Sequence, residues 1–135
     1  MSVVQERLRH VEHCMGTVFS FDIRHPDLDP DALPAAVALL HRIDATYSTY
    51  RADSVVCRLA RGELTAEQPP TAADEVLAEV DEVLAEVAGV LAECRSWTER
   101  TDGWFDAYAG GSLDPSGYVK GWAIQRASEL LVAAG

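Results

Sequence analysis

The sequence contains little positive charge and only one lysine. Among its 135 residues, 11 are lysine or arginine and 22 are aspartate or glutamate, which gives a formal net charge of −11. A chain this acidic repels nucleic-acid backbones and anionic membrane surfaces, so we expect neither as a partner. A phosphate-bearing ligand would also be repelled, unless a helix start, a divalent cation or a nearby basic side chain compensates locally.

The sequence also lacks an N-terminal apolar segment and a cysteine framework. Residues 1–13 are polar and charged, without the apolar stretch of a secretory signal. The three cysteines, Cys14, Cys57 and Cys94, are odd in number and widely spaced, which favours reduced thiols. Cys14 has no apolar segment before it and does not fit a lipid-anchored cysteine. We therefore expect a cytoplasmic protein without a membrane anchor.

The hydrophobic residues predict one α+β domain over residues 1–135. They make up 48% of the chain, enough for a core at this length. Alternation over residues 17–23 predicts a strand, and helices are predicted after residue 31 and over residues 116–134. Residues 55–59 fit a short helix or a strand equally well. The residues expected to be buried are Leu33, Val37, Leu40, Ile43 and Tyr47 in the first helix and Val119, Ala123, Ala127, Leu130 and Leu131 in the second.

Three tandem copies of one heptad span residues 75–95. They predict a long helix of roughly seven to eight turns, beginning at a capping box of Thr71 and Asp74 and ending at residues 101–103. Packing of this extended heptad-repeat helix within its own domain is favoured, because acidic residues beside the apolar seam oppose self-pairing. The alternative is a homodimer formed by two such seams. The seam residues are Leu77, Val80, Leu84, Val87, Leu91 and Cys94.

His10, Glu12, His13 and Cys14 are of the residue types that bind zinc. No second cluster completes a tetrahedral site, and neighbouring residues of a strand point to opposite faces. Surface histidines are therefore the favoured interpretation.

Residues 113–123 combine an Asp114-Pro115 helix start, Gly117, Gly121 and Lys120. The free N–H groups of a helix start attract anions, and an ammonium group adds a point charge. This pattern predicts a phosphate site. The alternative is an ordinary helix cap followed by a solvated lysine.

Three further motifs precede this one: Met15-Gly16-Thr17, residues 48–54 and residues 101–106. In this order and spacing, the four motifs resemble the ApbE family of magnesium-dependent flavin transferases. The resemblance covers most of residues 11–135. It implies an α+β, T-fold-like domain, of which this chain is the N-terminal part. It also implies an FAD:protein FMN transferase, which moves FMN from FAD to a threonine hydroxyl of an acceptor flavoprotein and releases AMP.

The resemblance assigns roles to individual residues. Met15 would lie beside the flavin, and Tyr50 would stack on the isoalloxazine ring. The alternatives are a core methionine and a buried tyrosine. The adenosine side would be lined by Trp104, Phe105 and Asp106.

The resemblance also implies the phosphate and metal contacts. Asp114 would contact FAD, Lys120 would bind its pyrophosphate, and the backbone carbonyl of Gly117 would help to hold Mg²⁺. The catalytic residues and the remaining magnesium ligands are expected in a C-terminal part that this chain does not contain, so the fragment alone is expected to be inactive. Two alternatives stay open: a truncated FAD-binding module without transferase activity, and a dimerising structural fragment.

Overall fold

The computed structural model describes residues 7–25, 27–64 and 75–135, with the side chains of 75–81 excepted. The chain divides into two compact units, which we call unit one (Met1–Asp44 and Lys120–Gly135) and unit two (Ala45–Val119). The mixture of a small sheet with helices is of the α+β class. In chain order the elements are β1 (Leu8–Cys14), β2 (Thr17–Ile23), α1 (Ala32–Tyr47), α2 (Val55–Ala60), α3 (Glu75–Arg100) and α4 (Ser116–Ala133).

Strands β1 and β2 of unit one form an antiparallel hairpin. The register runs from Cys14↔Thr17 to Leu8↔Ile23, so only Met15 and Gly16 connect the strands. Both have positive φ, 58° and 67°, as a type I′ turn requires. The predicted strand over residues 17–23 is confirmed as β2, whereas β1 was not predicted.

The hairpin is fastened to α1 by side chains of β1. The buried Cys14 thiol donates a hydrogen bond to the Leu40 carbonyl at 3.4 Å. The Glu12 carboxylate contacts His10 Nε2 at 2.8 Å and His41 Nε2 at 2.6 Å. These two hydrogen bonds, that of His41 foremost, lower the pKa of Glu12 below its usual value. Glu12 therefore links a strand to a helix that lies 29 residues further along the chain.

Helix α1 begins where the sequence predicts. The Asp29 carboxylate accepts a hydrogen bond from the Asp31 N–H at 2.9 Å, and the Asp29 carbonyl accepts one from Ala32 N–H at 3.0 Å. The helix buries Leu40, Ile43 and Tyr47 as predicted, and leaves Leu33 and Val37 half-buried. It also buries two small residues that were not predicted, Ala32 and Ala36.

Helix α4 closely follows its predicted bounds. Val119, Ala123 and Ala127 are buried, and Leu130 and Leu131 are half-buried.

Helix α3 has 26 residues and belongs to unit two. Among the predicted seam residues, Val87 and Cys94 are buried, while Leu84 and Leu91 are half-buried. Val90, which the heptads place off the seam, is only 4% exposed. Packing of this helix within its own domain stays a prediction, with pairing of two copies as its alternative. The side chains of Leu77 and Val80, and the capping residues Thr71 and Asp74, lie outside the described residues.

Within the described ranges, no helix combines the length and the apolar character needed to cross a membrane.

Candidate functional site

The loop between α1 and α2 is fixed by two serine hydroxyls. Ser48 Oγ accepts hydrogen bonds from the N–H groups of Tyr50 and Arg51, both at 3.1 Å. Ser54 Oγ donates to the Ser48 carbonyl at 2.5 Å and accepts from Cys57 N–H at 3.1 Å. Ser54 thus closes the loop and caps α2. This cap settles the open choice between helix and strand at residues 55–59 in favour of a helix.

Tyr50 is displayed by this loop with 95% of its surface exposed. A tyrosine ring carries a large apolar area that folding ordinarily covers at least in part. The N–H groups of Tyr50 and Arg51 both bond to Ser48 Oγ, so this exposure results from a defined loop conformation. The alternative of a buried tyrosine is therefore wrong at this position.

The end of α3 is built as a Schellman motif. Gly103 N–H donates to the Thr98 carbonyl at 2.9 Å, and Asp102 N–H donates to the Glu99 carbonyl at 3.3 Å. Asp102 has a φ of 57° and Gly103 a φ of 87°. Aspartate tolerates the left-handed region better than most residues, and glycine tolerates it freely. The Thr-Asp-Gly sequence is therefore explained by helix termination.

Thr101 connects this helix end to the following turn. Its hydroxyl donates to the Trp97 carbonyl at 2.7 Å and accepts from Phe105 N–H at 2.9 Å. Phe105 is half-buried, and its ring faces the start of α4: a Cβ built on Gly117 would lie 3.3 Å from Phe105 Cε2. Trp104, which lies between Thr101 and Phe105 in the sequence, is 93% exposed.

Asp106 and Asp114 each stabilise a local turn with Oδ1. Asp106 accepts a hydrogen bond from Tyr108 N–H at 2.9 Å. Asp114 accepts from the N–H and the hydroxyl of Ser116, at 3.1 and 2.6 Å. A backbone hydrogen bond of 2.7 Å from Asp114 N–H to the Ala107 carbonyl joins the two turns. Both carboxylates lie at the surface.

The start of α4 is anchored by the buried Pro115. Its carbonyl accepts hydrogen bonds from the N–H groups of Tyr118 and Val119, both at 3.0 Å. Burial, with a smaller contribution from Glu93, raises the pKa of Tyr118.

Gly117 is the second residue of α4, and Lys120 is its fifth residue, with an exposed side chain.

Met15 lies at the tip of the hairpin in unit one. It is half-buried and holds the left-handed conformation, which is unfavourable for a residue other than glycine, asparagine or aspartate. It lines an open cleft of about 430 Å³ together with His13, Val18 and Asp44. Left-handed residues of this kind cluster at functional sites, so the turn is compatible with a binding role.

The structure brings some of the predicted residues together within unit two. The Phe105 ring lies where a Cβ on Gly117 would meet it, and the Asp106 and Asp114 turns are joined by their backbone. Tyr50 and Trp104 are also in unit two, whereas Met15 and Lys120 are in unit one. Another cleft, in unit two and of about 400 Å³, is lined by none of the predicted site residues; its walls include Leu59, Leu91, Tyr108 and Leu113.

Sequence reasoning missed the hydroxyl groups that hold these loops. Ser48, Ser54 and Thr101 lie within the motifs at residues 48–54 and 101–106, but the sequence predicts no role for their hydroxyl groups. A signal existed for Ser54, because a serine directly before an apolar run is typical of a helix N-cap. No comparable signal shows that the Thr101 hydroxyl accepts a hydrogen bond from Phe105.

Among the described residues, no group of three or more histidine, cysteine, aspartate or glutamate side chains could hold a metal ion. Of the four residues considered above as zinc ligands, His10 and Glu12 form a hydrogen bond with each other.

A family model described as the ApbE family matches residues 15–111, which are 97 of the 135 residues. The match contains three of the four motifs and ends before residues 113–123. No curated protein and no solved structure matches the chain.

Proposed function

This chain belongs to the ApbE family of flavin transferases, and we propose that it binds FAD as part of a magnesium-dependent FAD:protein FMN transferase. In this reaction FMN passes from FAD to a threonine hydroxyl of an acceptor flavoprotein, and AMP is released. We also propose that the acceptor is a flavoprotein partner of this chain and that the chain acts in the cytoplasm. The observation that carries it is the exposure of Tyr50 and Trp104, at 95% and 93%, on two loops that the family match contains.

Two exposed aromatic rings suit a ligand with two flat ring systems. Aromatic side chains gain free energy by stacking on planar heterocycles, and an exposed ring leaves its face open for such stacking. FAD carries an isoalloxazine and an adenine ring. In our proposal Tyr50 stacks on the isoalloxazine, Trp104 lies on the adenosine side, and Met15 lies beside the flavin.

The pyrophosphate of FAD requires local positive charge in a chain of net charge −11. We assign this role to Lys120, the only lysine, near the start of α4. Asp114 is proposed to contact FAD from the same helix start, although its carboxylate alone would repel a pyrophosphate. A divalent cation would offset this repulsion, which agrees with the magnesium dependence of the proposal.

The described residues do not by themselves form a magnesium site. Magnesium prefers about six oxygen ligands, and the Gly117 carbonyl proposed as a ligand supplies one. No group of acidic or histidine side chains among the described residues completes such a set. We therefore assign no step to the metal, and propose that this chain binds and orients FAD while FMN transfer needs ligands from outside the described residues.

The proposal is tested by titrating the protein with FAD in a calorimeter. Tyr50→Ala and Trp104→Ala should each weaken binding by about 1–3 kcal/mol, the range for loss of one aromatic stacking partner. Trp97→Ala is the matched control, because Trp97 is also partly exposed in unit two but belongs to none of the predicted contacts. Its FAD affinity should equal that of the wild type.

Two results would contradict the proposal. If wild-type protein gives no binding heat or fluorescence change with FAD, the chain is not an FAD-binding module. If Trp97→Ala weakens binding as much as Trp104→Ala, the effect of Trp104 is not one of direct stacking.

A further inference from the structure

The Thr101 hydroxyl differs from that of Thr98, one turn earlier on α3, in one hydrogen bond. Both donate to the carbonyl four residues back: Thr98 to Cys94 at 3.0 Å and Thr101 to Trp97 at 2.7 Å. Only Thr101 is also seen to accept a bond, from Phe105 N–H at 2.9 Å. Thr98 therefore serves its own helix, whereas Thr101 ties the helix end to the turn beyond it.

Phe105 is held from two sides as a result. Its backbone N–H is fixed by Thr101, and its half-buried ring lies against Gly117 at the start of α4. A methyl group at Gly117 would come within 3.3 Å of the ring and require it to move. The turn that contains Trp104 and Asp106 is thus placed by two contacts, neither of which involves the side chain of Trp104 or Asp106.

We propose that Thr101 is a positioning residue for FAD. Its hydroxyl acts through the backbone of Phe105 and sets the orientation in which Trp104 and Asp106 meet the adenosine side of the ligand. Thr101 itself need not touch FAD. The proposal rests on the function proposed above and adds a residue whose effect on affinity is indirect.

The test compares Thr101→Val, Thr101→Ser and Thr98→Val. Valine keeps the shape of threonine and removes the hydroxyl, whereas serine keeps the hydroxyl. Thr101→Val should weaken FAD binding at least about tenfold, because the Phe105 N–H loses its partner and the turn loses its fixed conformation. Thr101→Ser and Thr98→Val should stay within about threefold of the wild type. Amide hydrogen exchange at Phe105, measured without ligand, should be faster in Thr101→Val than in the other two variants.

The outcomes separate this proposal from the proposed function. If the wild type binds FAD and Thr101→Val binds as tightly as Thr98→Val, the positioning role is overturned while FAD binding stands. If Thr101→Val and Thr98→Val lose stability and affinity equally, Thr101 is only structural and the proposal is again overturned. Absence of FAD binding by the wild type overturns the proposed function, and the positioning role with it.

A second variant covers the case in which Thr101→Val does not fold. Gly117→Ala requires the Phe105 ring to shift by a few tenths of an ångström from the opposite side, without altering Thr101. It should also weaken FAD binding, by more than about threefold, and leave the Phe105 amide protected. Unchanged affinity in this variant would overturn the proposal, because the position of Phe105 would then not matter for the ligand.

Discussion

Unit one and the loops of unit two are stabilised internally by different kinds of hydrogen bond. In unit one, ionisable side chains that are far apart in sequence meet: Arg7 contacts both carboxylate oxygens of Asp22, and Glu12 contacts His41. Unit two also has a long-range pair, in which Tyr47 donates to Glu86. Its loops, however, are fixed by hydroxyl and carboxylate groups that bond to backbone groups within six residues, as at Ser54, Thr101 and Asp106. Long-range pairs fasten elements to one another, whereas short-range bonds define the conformation of single loops.

The two units also differ in the kind of hydrophobic side chain that they expose. Among the described residues, the large exposed hydrophobic side chains of unit one are aliphatic, and those of unit two are aromatic. Aromatic rings on fixed loops can stack on a planar ligand, whereas isolated aliphatic side chains on a surface are common and need no function. The comparison therefore points to unit two as the source of ring contacts. The residues are Leu8, Val11, Val18, Ile124 and Val132 in unit one and Tyr50, Trp97, Trp104 and Tyr108 in unit two.

The largest effect is expected from Leu40→Ala in unit one. Leu40 is fully buried, so its truncation leaves a cavity and should lower the free energy of unfolding by about 2–5 kcal/mol. Val132→Ala is the control, because Val132 is 78% exposed and its loss should cost less than about 0.5 kcal/mol. Urea denaturation measures both. A comparable loss in the two variants would show that the exposed aliphatic residues of unit one are covered in solution.

A smaller effect of opposite sign is expected from Met15→Asn. Among the residues that the structure describes, each unit holds one non-glycine residue in the left-handed conformation, Met15 in unit one and Asp102 in unit two. Asparagine tolerates this conformation better than methionine, so Met15→Asn should raise the free energy of unfolding by about 0.5–1 kcal/mol. Asp102→Asn should change it by less than about 0.5 kcal/mol, because aspartate is already tolerated there. Equal shifts of the melting temperature in Met15→Asn and Asp102→Asn would contradict this expectation.

The smallest effect is expected when Glu12→Gln changes how the stability of the protein depends on pH. Its pKa is lowered in the folded protein from an ordinary value of 4.5, so its contribution to stability is present above that value and is lost as the pH falls through the lowered folded pKa. Glu12→Gln should therefore reduce the loss of stability that denaturation experiments show as the pH falls below 4.5.

Glu63→Gln is the matched control for this measurement. The pKa of Glu63 is also lowered, chiefly by a hydrogen bond from Arg61, but this partner lies only two residues away and can persist in the unfolded chain. Its pH dependence of stability should stay close to that of the wild type. An equal change in both variants would remove the distinction between long-range and short-range pairs.

The sequence predicted those elements whose hydrophobic pattern is local. Strand β2 alternates Phe19, Phe21 and Ile23 with polar residues, and α1 repeats its apolar residues at helical spacing. Strand β1 was missed because its less exposed positions include His10 and Glu12, which alternate with the exposed Val11. These polar residues are accommodated by their bonds to each other and to His41, a partner that no local pattern reveals.

The candidate site likewise has features that the sequence predicted and features that it did not. The predicted helix stop at residues 101–103 is confirmed, whereas the left-handed conformations of Met15 and Asp102 were not predicted. The contact between Phe105 and Gly117 required the fold, because 12 residues separate them in sequence. The roles of Tyr50, Trp104 and Lys120 toward FAD stay predictions of the family resemblance, and so does the role of Gly117 toward magnesium.

The loop closed by Ser54 has a thermodynamic consequence for any ligand that stacks on Tyr50. Because the hydrogen bonds of Ser48 and Ser54 already fix its backbone, the ligand finds a preorganised platform and need not order the loop on arrival. The conformational entropy lost on binding is then confined largely to the tyrosine side chain and the ligand itself. A site of this kind retains more of its stacking energy as affinity than one on a loop that must first fold.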